Sequence, residues 1–310
     1  MKTIAILGAN GRLGLTTVNA FHQAGWAVIA VTRNGHYLGP EPVENRAADA
    51  RSSVALEQAV KDCDVVFNGL NPLYPRWHTE ALPLTENVIN ACLSTGATHL
   101  FPGNVYNYGH SIPAIVEPST LQVGGTKKGK IRVEIERMLL RATKDEGLQT
   151  LVLRAGDFFG GKGTGSWFDL AITSQFRSGK IVYPGNRNLP HAWAYLPDLS
   201  RTFVALAEQR AKCAMYDEFL FEGYSLTGNR LHEHLETASD RKLKEASIPW
   251  TLFKLGSLFN AMWRETLEMR YLWNTPHQLD GSKLQAFCPE LTTTPPEVAL
   301  KEALQDLDLL

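Results

Sequence analysis

Apolar runs and helical stripes alternate along the first part of the chain. A short apolar run over 3–7 leads into a glycine-rich turn, and a helical stripe from Leu13 then stops at Gly25. A second run, over 27–31, is rich in β-branched residues. This order predicts a strand, a helix and a second strand.

The same alternation continues to about residue 154. The further predicted helices and strands cover 54–60, 64–67, 86–93, 99–101, 130–143 and 150–153. Strands that are apolar throughout and separated by helices imply a parallel sheet covered on both faces. The sequence therefore predicts an α/β, doubly wound fold.

The glycine-rich turn after the first strand carries the first chemical signal. Glycines at 8, 11 and 14 let the backbone turn tightly, let a pyrophosphate approach main-chain N–H groups, and let the helix pack close to the strand. The first gap is one residue longer than in the GxGxxG form. Its place between a strand and a helix predicts a dinucleotide site on a Rossmann-type sheet.

The pattern changes after Arg154. Glycines crowd 156–165, and the segment 250–273 is rich in aromatic residues and methionine. We expect a nucleotide-binding domain over 1–155, with a return segment near 190–222, and a smaller, mainly helical substrate region over 156–310. Substrate is expected in the cleft between the two regions.

Composition narrows the functional classes. The 310 residues are 44% hydrophobic and 20% charged, with a net charge of -1, so the chain is globular and has no basic stripe for nucleic acid. The absence of a long apolar run predicts no membrane partner, and we expect a cytoplasmic protein. The four cysteines are far apart, which predicts reduced thiols and no metal site.

Four segments together resemble a known family. They are 8–14, 103–109, 154–160 and 191–199. In order, and over almost the whole chain, they resemble the extended or atypical short-chain dehydrogenases/reductases of the NAD(P)-dependent epimerase/dehydratase kind. The resemblance implies cofactor contacts from Gly8, Asn10, Gly11, Arg12, Leu13, Gly14, Asn68, Gly69, Leu70, Gly156 and Phe158.

The end of the second strand bears on which dinucleotide is bound. An acid there would hold the ribose 2′-hydroxyl of NAD, whereas a 2′-phosphate needs a cation. The chain has Arg33 at this point, and Arg12 in the glycine loop offers a second contact. We therefore expect NADP, with NAD less favoured. Asp49, after the third strand, resembles the family's adenine-contacting acid.

The catalytic centre departs from the family pattern. The family uses a Ser/Thr on the fifth strand and a Tyr-x-x-x-Lys on the next helix. Lys130 and Glu134 resemble the lysine and the following acid of that helix, which places Thr126 at the tyrosine position and Asn104 at the Ser/Thr position. A threonine hydroxyl is too weak an acid to replace a phenol.

Two tyrosines near Asn104 offer an alternative acid. If the strand continues, Asn104, Tyr106 and Tyr108 lie on one face, and Tyr106 can then act as the proton donor. A buried structural role is the competing interpretation, favoured for Tyr108 and, by a smaller margin, for Tyr106. The catalytic candidates are Lys130, Tyr106 and Asn104, and the resemblance implies that Lys130 also contacts the nicotinamide-side ribose of the cofactor.

Two functional classes stay open. Substrate contacts are expected from Tyr74, Trp77, Asp157, Trp167, His191 and Trp193, although core packing explains any one of the aromatic residues equally well. We favour an NADP-dependent reductase or epimerase/dehydratase-like enzyme acting on a carbonyl or sugar-nucleotide-type small molecule. The alternative is an inactive NADP(H)-binding sensor that reports redox state to a protein partner. A homodimer is left open.

Overall fold

The computed structural model describes residues 2–310, which form strands of two to six residues. The strands are β1 (Thr3–Leu7), β2 (Ala27–Thr32), β3 (Glu44–Ala47), β4 (Val65–Asn68), β5 (Thr98–Gly103), β6 (Ile115–Val116), β7 (Thr150–Arg154), β8 (Asp157–Phe159), β9 (Lys180–Tyr183), β10 (Pro190–Tyr195), β11 (Tyr216–Leu220), β12 (Tyr224–Thr227), β13 (Lys244–Ser247) and β14 (Gln278–Leu279).

Helices separate these strands. They are α1 (Arg12–Gln23), α2 (Ser53–Ala59), α3 (Trp77–Thr95), α4 (Lys127–Glu146), α5 (Leu196–Glu208), α6 (Gly228–Ser239), α7 (Trp250–Gly256), α8 (Ala261–Glu268), α9 (Ser282–Phe287) and α10 (Pro296–Asp306). Helix α3 begins nine residues before the predicted 86–93, because Pro83 lies inside the helix and obscures its first turns.

The central sheet follows the order β11-β7-β5-β4-β1-β2-β3, and its strand pairs are all parallel. Helices α1 and α5 pack on one face, and α2, α3 and α4 pack on the other. Because the strand order reverses between β1 and β4, their carboxyl ends border the crevice in which doubly wound folds bind ligands. The predicted Rossmann-type fold is confirmed.

The second half of the chain extends this sheet and adds a smaller layer. Strand β11 pairs with β7 at the edge of the central sheet, and β8, β10 and β12 form a sheet of their own. The smaller sheet packs its aromatic side chains against α6 and α10. It stands beyond the carboxyl ends of β5 and β7, where a substrate would meet the dinucleotide crevice.

A fully buried arginine joins the central elements beside that crevice. Arg154, the last residue of β7, donates to Glu136 of α4 at 2.7 and 3.0 Å and to Glu218 of β11 at 2.7 Å. It also donates to the backbone oxygen of Asn104, just after β5, at 2.6 Å. Although burial opposes the charge, the two glutamates hold the pKa of Arg154 well above its usual value. The guanidinium is therefore a fixed cation that sets the register of α4.

Loss of Glu136 is expected to destabilise the chain strongly. Glu136→Ala leaves the buried guanidinium of Arg154 with one carboxylate, and should lower the free energy of unfolding by about 3–5 kcal/mol in a urea titration. Glu134→Ala is the matched control on the same helix, because Glu134 is only partly buried and pairs only with surface arginines. It should change stability by less than about 0.5 kcal/mol. Equal effects would contradict the assigned helix register.

Candidate functional site

The glycine loop forms a tightly packed cradle at the end of β1. Gly8 has φ of +73°, and a Cβ there would come within 2.8 Å of the backbone oxygen of Gly69, after β4. A Cβ on Gly14 would collide with the backbone oxygen of Gly8. The loop therefore accepts no side chain at these points, and the amino end of α1 is left free to face an anion.

A cleft of about 470 Å³ opens beside this loop, over the carboxyl ends of β1, β2 and β3. Of the predicted cofactor residues, it is lined by Gly8, Asn10, Gly11, Arg33, Asp49 and Leu70. The side chain of Asn10 holds the loop after β2 through the backbone oxygen of His36 and the backbone N–H of Leu38, both at 2.8 Å. The residues predicted for the adenosine half of a dinucleotide thus share one cleft.

Arg33 is exposed at the mouth of this cleft and has no carboxylate partner among residues 2–310. Arg51 lines the same cleft and lies 3.3 Å from Glu80. Because the guanidinium of Arg33 is not engaged, it is free to pair with a phosphate.

The side chain of Arg12 is engaged elsewhere, which corrects its predicted role as a second phosphate contact. Its guanidinium pairs with Asp169 and donates to the backbone oxygen of Gly160 and to Ser166 Oγ, each at 2.8 Å. Arg12 therefore fastens the glycine loop to the segment that follows β8. The sequence did not reveal this, because it does not distinguish an arginine exposed to solvent from one that pairs with a buried acid far along the chain.

The other predicted cofactor residues support the cleft from behind or lie beyond it. Leu13 packs against the core, and Asn68 lines a small pocket next to the cleft. Gly156 packs directly on Ala192 of β10, and Phe158 is a partly buried core residue. Gly156 therefore contacts the smaller sheet, and Phe158 is a residue of that sheet that packs toward the core of the central sheet.

The chain after β5 turns, which corrects the expectation that Asn104, Tyr106 and Tyr108 share a strand face. A 3-10 turn covers Val105–Ser111, and Asn104 Oδ1 caps it by accepting from the backbone N–H of Tyr106 at 3.0 Å. The hydroxyls of Tyr106 and Tyr74 share a hydrogen bond of 2.8 Å. Tyr108 instead packs under Arg154, with 5.4 Å between its ring and the guanidinium carbon.

The side of helix α4 that faces this tyrosine pair is not the side that carries Lys130, which the motif match had predicted. Lys130 is exposed, whereas Lys128 is buried, pairs with Glu265 and Glu268, and has its ammonium 4.9 Å from the ring of Tyr74. Arg132, one turn further on, lies over the ring of Trp77 at 4.9 Å. Lys128 and Arg132 are four positions apart, like the tyrosine and the lysine of the family's Tyr-x-x-x-Lys motif.

Arg132 reaches a small pocket that continues from the cleft. The pocket is lined by Arg132, Asn68, Trp77 and Phe101, and it shares Leu70, Asn71, Pro72 and Leu84 with the cleft. The Nε of Arg132 is buried and has no hydrogen-bond partner among residues 2–310, and burial lowers the pKa of Arg132. Among the described residues no carboxylate pairs with this guanidinium, so it can receive an anionic or hydroxyl-bearing ligand.

Both phenols of the tyrosine pair are held in the protonated form. Burial raises the pKa of Tyr74 to about 12, although its hydrogen bond with Tyr106 works the other way. Burial, with the charges of Tyr74 and Asp157, raises the pKa of Tyr106 well above its usual value. At neutral pH the two hydroxyls are therefore hydrogen-bond donors, and not bases.

A histidine cluster lies on the smaller sheet. His191 Nε2 is 2.7 Å from Asp157 Oδ2, and the imidazole stacks on Trp273 with 4.1 Å between ring centres. His277 is fully buried, 4.5 Å from His191, and burial lowers its pKa to about 3. The predicted Asp157 and His191 are thus brought together, but sequence reasoning missed His277.

Most of the tryptophans that were predicted to line a substrate pocket are buried in the core. Trp193 is 1% exposed and Trp77 is 3% exposed, so neither offers a free ring to a substrate. Trp77 donates its indole N–H to the backbone oxygen of Pro72 at 2.8 Å, which fixes the segment that carries Tyr74. Trp167 is partly exposed and contacts Trp250 and Trp273.

Solved structures of known enzymes share this architecture. A UDP-N-acetylglucosamine 4-epimerase from Bacillus cereus superposes with a TM-score of 0.76 at 16% identity, over 100% of this chain and 98% of that one. A UDP-glucose 4-epimerase from Brucella ovis in complex with NAD gives 0.77 at 14%, over 98% of both chains. A UDP-Glc/GlcNAc 4-epimerase from Campylobacter jejuni gives 0.76 at 13%, over 100% of both.

The fold and the glycine cradle define an NAD(P)-binding protein of the Rossmann type. A family described as NAD(P)H-binding matches residues 8–169, and the chain belongs to this family. This match confirms the expected NAD(P)-binding family, and the chain shares its fold with the solved UDP-sugar 4-epimerases. Within residues 2–310, none of the helices has the length and apolar character needed to cross a bilayer.

Proposed function

We propose that the chain is an NADP-dependent enzyme that transfers hydride to or from a carbonyl or sugar-nucleotide-type small molecule. The observation that carries this proposal is the hydrogen-bonded hydroxyl pair of the partly buried Tyr74 and the buried Tyr106, with the cations of Lys128 and Arg132 beside it. These groups stand past the end of the dinucleotide cleft, where the reactive half of a cofactor would end. The solved 4-epimerases named above act on UDP-sugars, which supports a substrate of related chemistry.

The residues of the cleft fit a dinucleotide from one end to the other. Asp49 and Arg33 would take the adenosine half, and the backbone at Gly8 and Gly11 would take the pyrophosphate. Because the sheet order places β4 next to β1 and β5 next to β4, the nicotinamide half would extend toward Arg132. Arg132 takes the place of Lys130 in our proposal, since only Arg132 faces a pocket that continues from the cleft.

Tyr106 is the group we assign to proton donation. When bound, the nicotinamide supplies or accepts a hydride at the carbon beside the substrate oxygen. Tyr106 would donate to that oxygen, and the hydrogen bond from Tyr74 would stabilise the phenolate that remains. Burial keeps Tyr106 protonated but also makes it a weak acid, and the Arg132 cation would offset this by favouring the phenolate as the substrate takes the proton.

The sensor alternative rests on a specific feature of α4. Where the family has a tyrosine, this chain has Lys128, and two glutamates hold its ammonium. A lysine fixed in this way supports binding and provides no phenol. A chain that binds NADPH yet exchanges no hydride with any substrate would have this alternative function.

The first prediction that follows from the proposed function concerns the preference for NADPH over NADH. NADPH should bind at least about tenfold more tightly than NADH, because Arg33 can form a charged pair with the 2′-phosphate. Arg33→Ala should narrow this ratio mainly by weakening NADPH, as measured by calorimetric titration of both cofactors. The control is Arg137→Ala, since Arg137 is an exposed arginine of α4 that pairs with Glu134 on the surface. Equal constants for NADPH and NADH in the wild type would contradict the assignment.

The second prediction separates Arg132 from Lys130. Arg132→Gln should weaken NADPH and NADH alike by about tenfold, because it removes a charged donor from the half that both share. Adenosine 2′,5′-bisphosphate, which lacks that half, should bind the variant as it binds the wild type. Lys130→Gln, on the exposed side of α4, should change none of the three affinities. If Lys130→Gln weakened both cofactors and Arg132→Gln weakened neither, the cofactor contact would belong to Lys130 and the assignment to Arg132 would be wrong.

The third prediction concerns the proton donor. Wild-type protein is first screened for NADPH oxidation with carbonyl compounds and for interconversion of UDP-sugars by NMR. Tyr106→Phe should lower turnover of the best substrate by about a hundredfold or more with NADPH affinity intact. Tyr108→Phe makes the same chemical change two residues away and should leave turnover within a few-fold. If the screen finds no reaction while NADPH binds, the sensor function replaces the proposal.

A further inference from the structure

Helices α7 and α8 form a hairpin whose outer side is apolar and uncovered. We call this side the apolar face and define it by five residues, Leu252, Leu255, Leu258, Phe259 and Met262. Phe259 is 94% exposed and Leu258 is 72% exposed. Large side chains that are so exposed and so close together on a folded chain indicate an interaction surface.

The inner side of the hairpin is held by aromatic contacts, although neither helix contains a fully buried residue. Phe253 stacks on Trp263 at 4.6 Å, and Gly256 packs directly on the same indole, which leaves no room for a side chain. Trp250 donates to the backbone oxygen of Pro184 at 2.8 Å. These contacts join α7 to α8 and tie α7 to the segment that follows β9.

The hairpin also touches the candidate active site. Glu265 and Glu268 of α8 pair with Lys128, and Glu268 accepts from the backbone N–H of Lys127 at 2.5 Å. Acidic groups of the hairpin therefore point inward, toward the start of α4. The apolar side chains point the other way.

The charges around the apolar face have one sign. The segment 248–264 contains Lys254 and Arg264 and no aspartate or glutamate. Both cations are exposed, and neither pairs with a carboxylate in the part of the chain that the structure describes. A surface with leucine, phenylalanine and cations but no acids matches a bilayer with anionic headgroups, because its apolar side chains enter the headgroup boundary while the cations meet the lipid charge.

We propose that the apolar face docks the protein on an anionic membrane surface. Helices α7 and α8 lie in the plane of the headgroups, and the turn that carries Leu258 and Phe259 enters deepest. The protein is then peripheral, in keeping with the absence of a bilayer-crossing helix among residues 2–310. This proposal stands independently of the reaction that the chain catalyses, and it revises the sequence-based expectation of no membrane partner.

The test is sedimentation of the full chain with phosphatidylcholine vesicles, with and without about 30% phosphatidylglycerol. The wild type should bind the anionic vesicles more strongly than the neutral ones, and added salt should weaken this binding. Leu258→Ser with Phe259→Ser should lower vesicle binding by about tenfold or more. Both residues lie in the turn between the helices, so the exchange disturbs no helical hydrogen bond. Lys254→Glu with Arg264→Glu should abolish the preference for anionic lipid.

The matched control is Val54→Ser with Val298→Ser, which exchanges two exposed apolar residues of α2 and α10 for serine. It should bind vesicles like the wild type. Unchanged NADPH affinity and thermal unfolding show that each variant is folded. The proposal is overturned if wild type stays in solution with anionic vesicles, or if the turn variant binds as well as wild type. It is also overturned if sedimentation without lipid shows a dimer that the turn variant dissolves, because a second copy of the chain then covers the face.

Discussion

The buried ion network of Arg154 is the constraint on which the site depends. One guanidinium, fully removed from water, holds a carboxylate of α4, a carboxylate of β11 and the backbone oxygen of Asn104. A buried charge must keep its partners, since leaving it unpaired is costly. The ion pair therefore fixes the rotation of helix α4 about its axis. In this orientation Lys128 and Arg132 lie on the side of Tyr74 and Tyr106, while Lys130 faces solvent.

The network also positions the turn after β5, where Asn104 stands in place of the family's Ser/Thr. The turn after β5 begins at Asn104, whose backbone oxygen is held by Arg154 and whose side chain caps the backbone N–H of Tyr106. That cap ends the strand and directs Tyr106 to Tyr74. Tyr106 and Lys128 are buried, and Tyr74 and Arg132 beside them are partly buried, so the reduced dielectric strengthens the interactions among these groups.

Some parts of this site were predictable because their function needs local backbone geometry. The glycines at 8, 11 and 14 are required where a strand, a turn and a helix meet, and this requirement can be read along the chain. Arg33 follows a recognisable strand, so its place at the cleft follows from the sheet. Lys128 and Arg132 were missed because Lys130 and Glu134 fit the motif spacing equally well. Only burial distinguishes the two registers.

The sequence by itself determined the parallel sheet, the glycine cradle and the family, because apolar runs, helical stripes and backbone-permissive glycines are local properties of the chain. The tertiary structure alone decided what each charged or aromatic side chain does. Arg12 is engaged by Asp169, Trp193 is core, and α7 and α8 leave leucines exposed. Arg132 has no carboxylate partner within residues 2–310. The physical reason is that pairing and burial depend on residues distant in sequence, and sequence order does not show which of them meet.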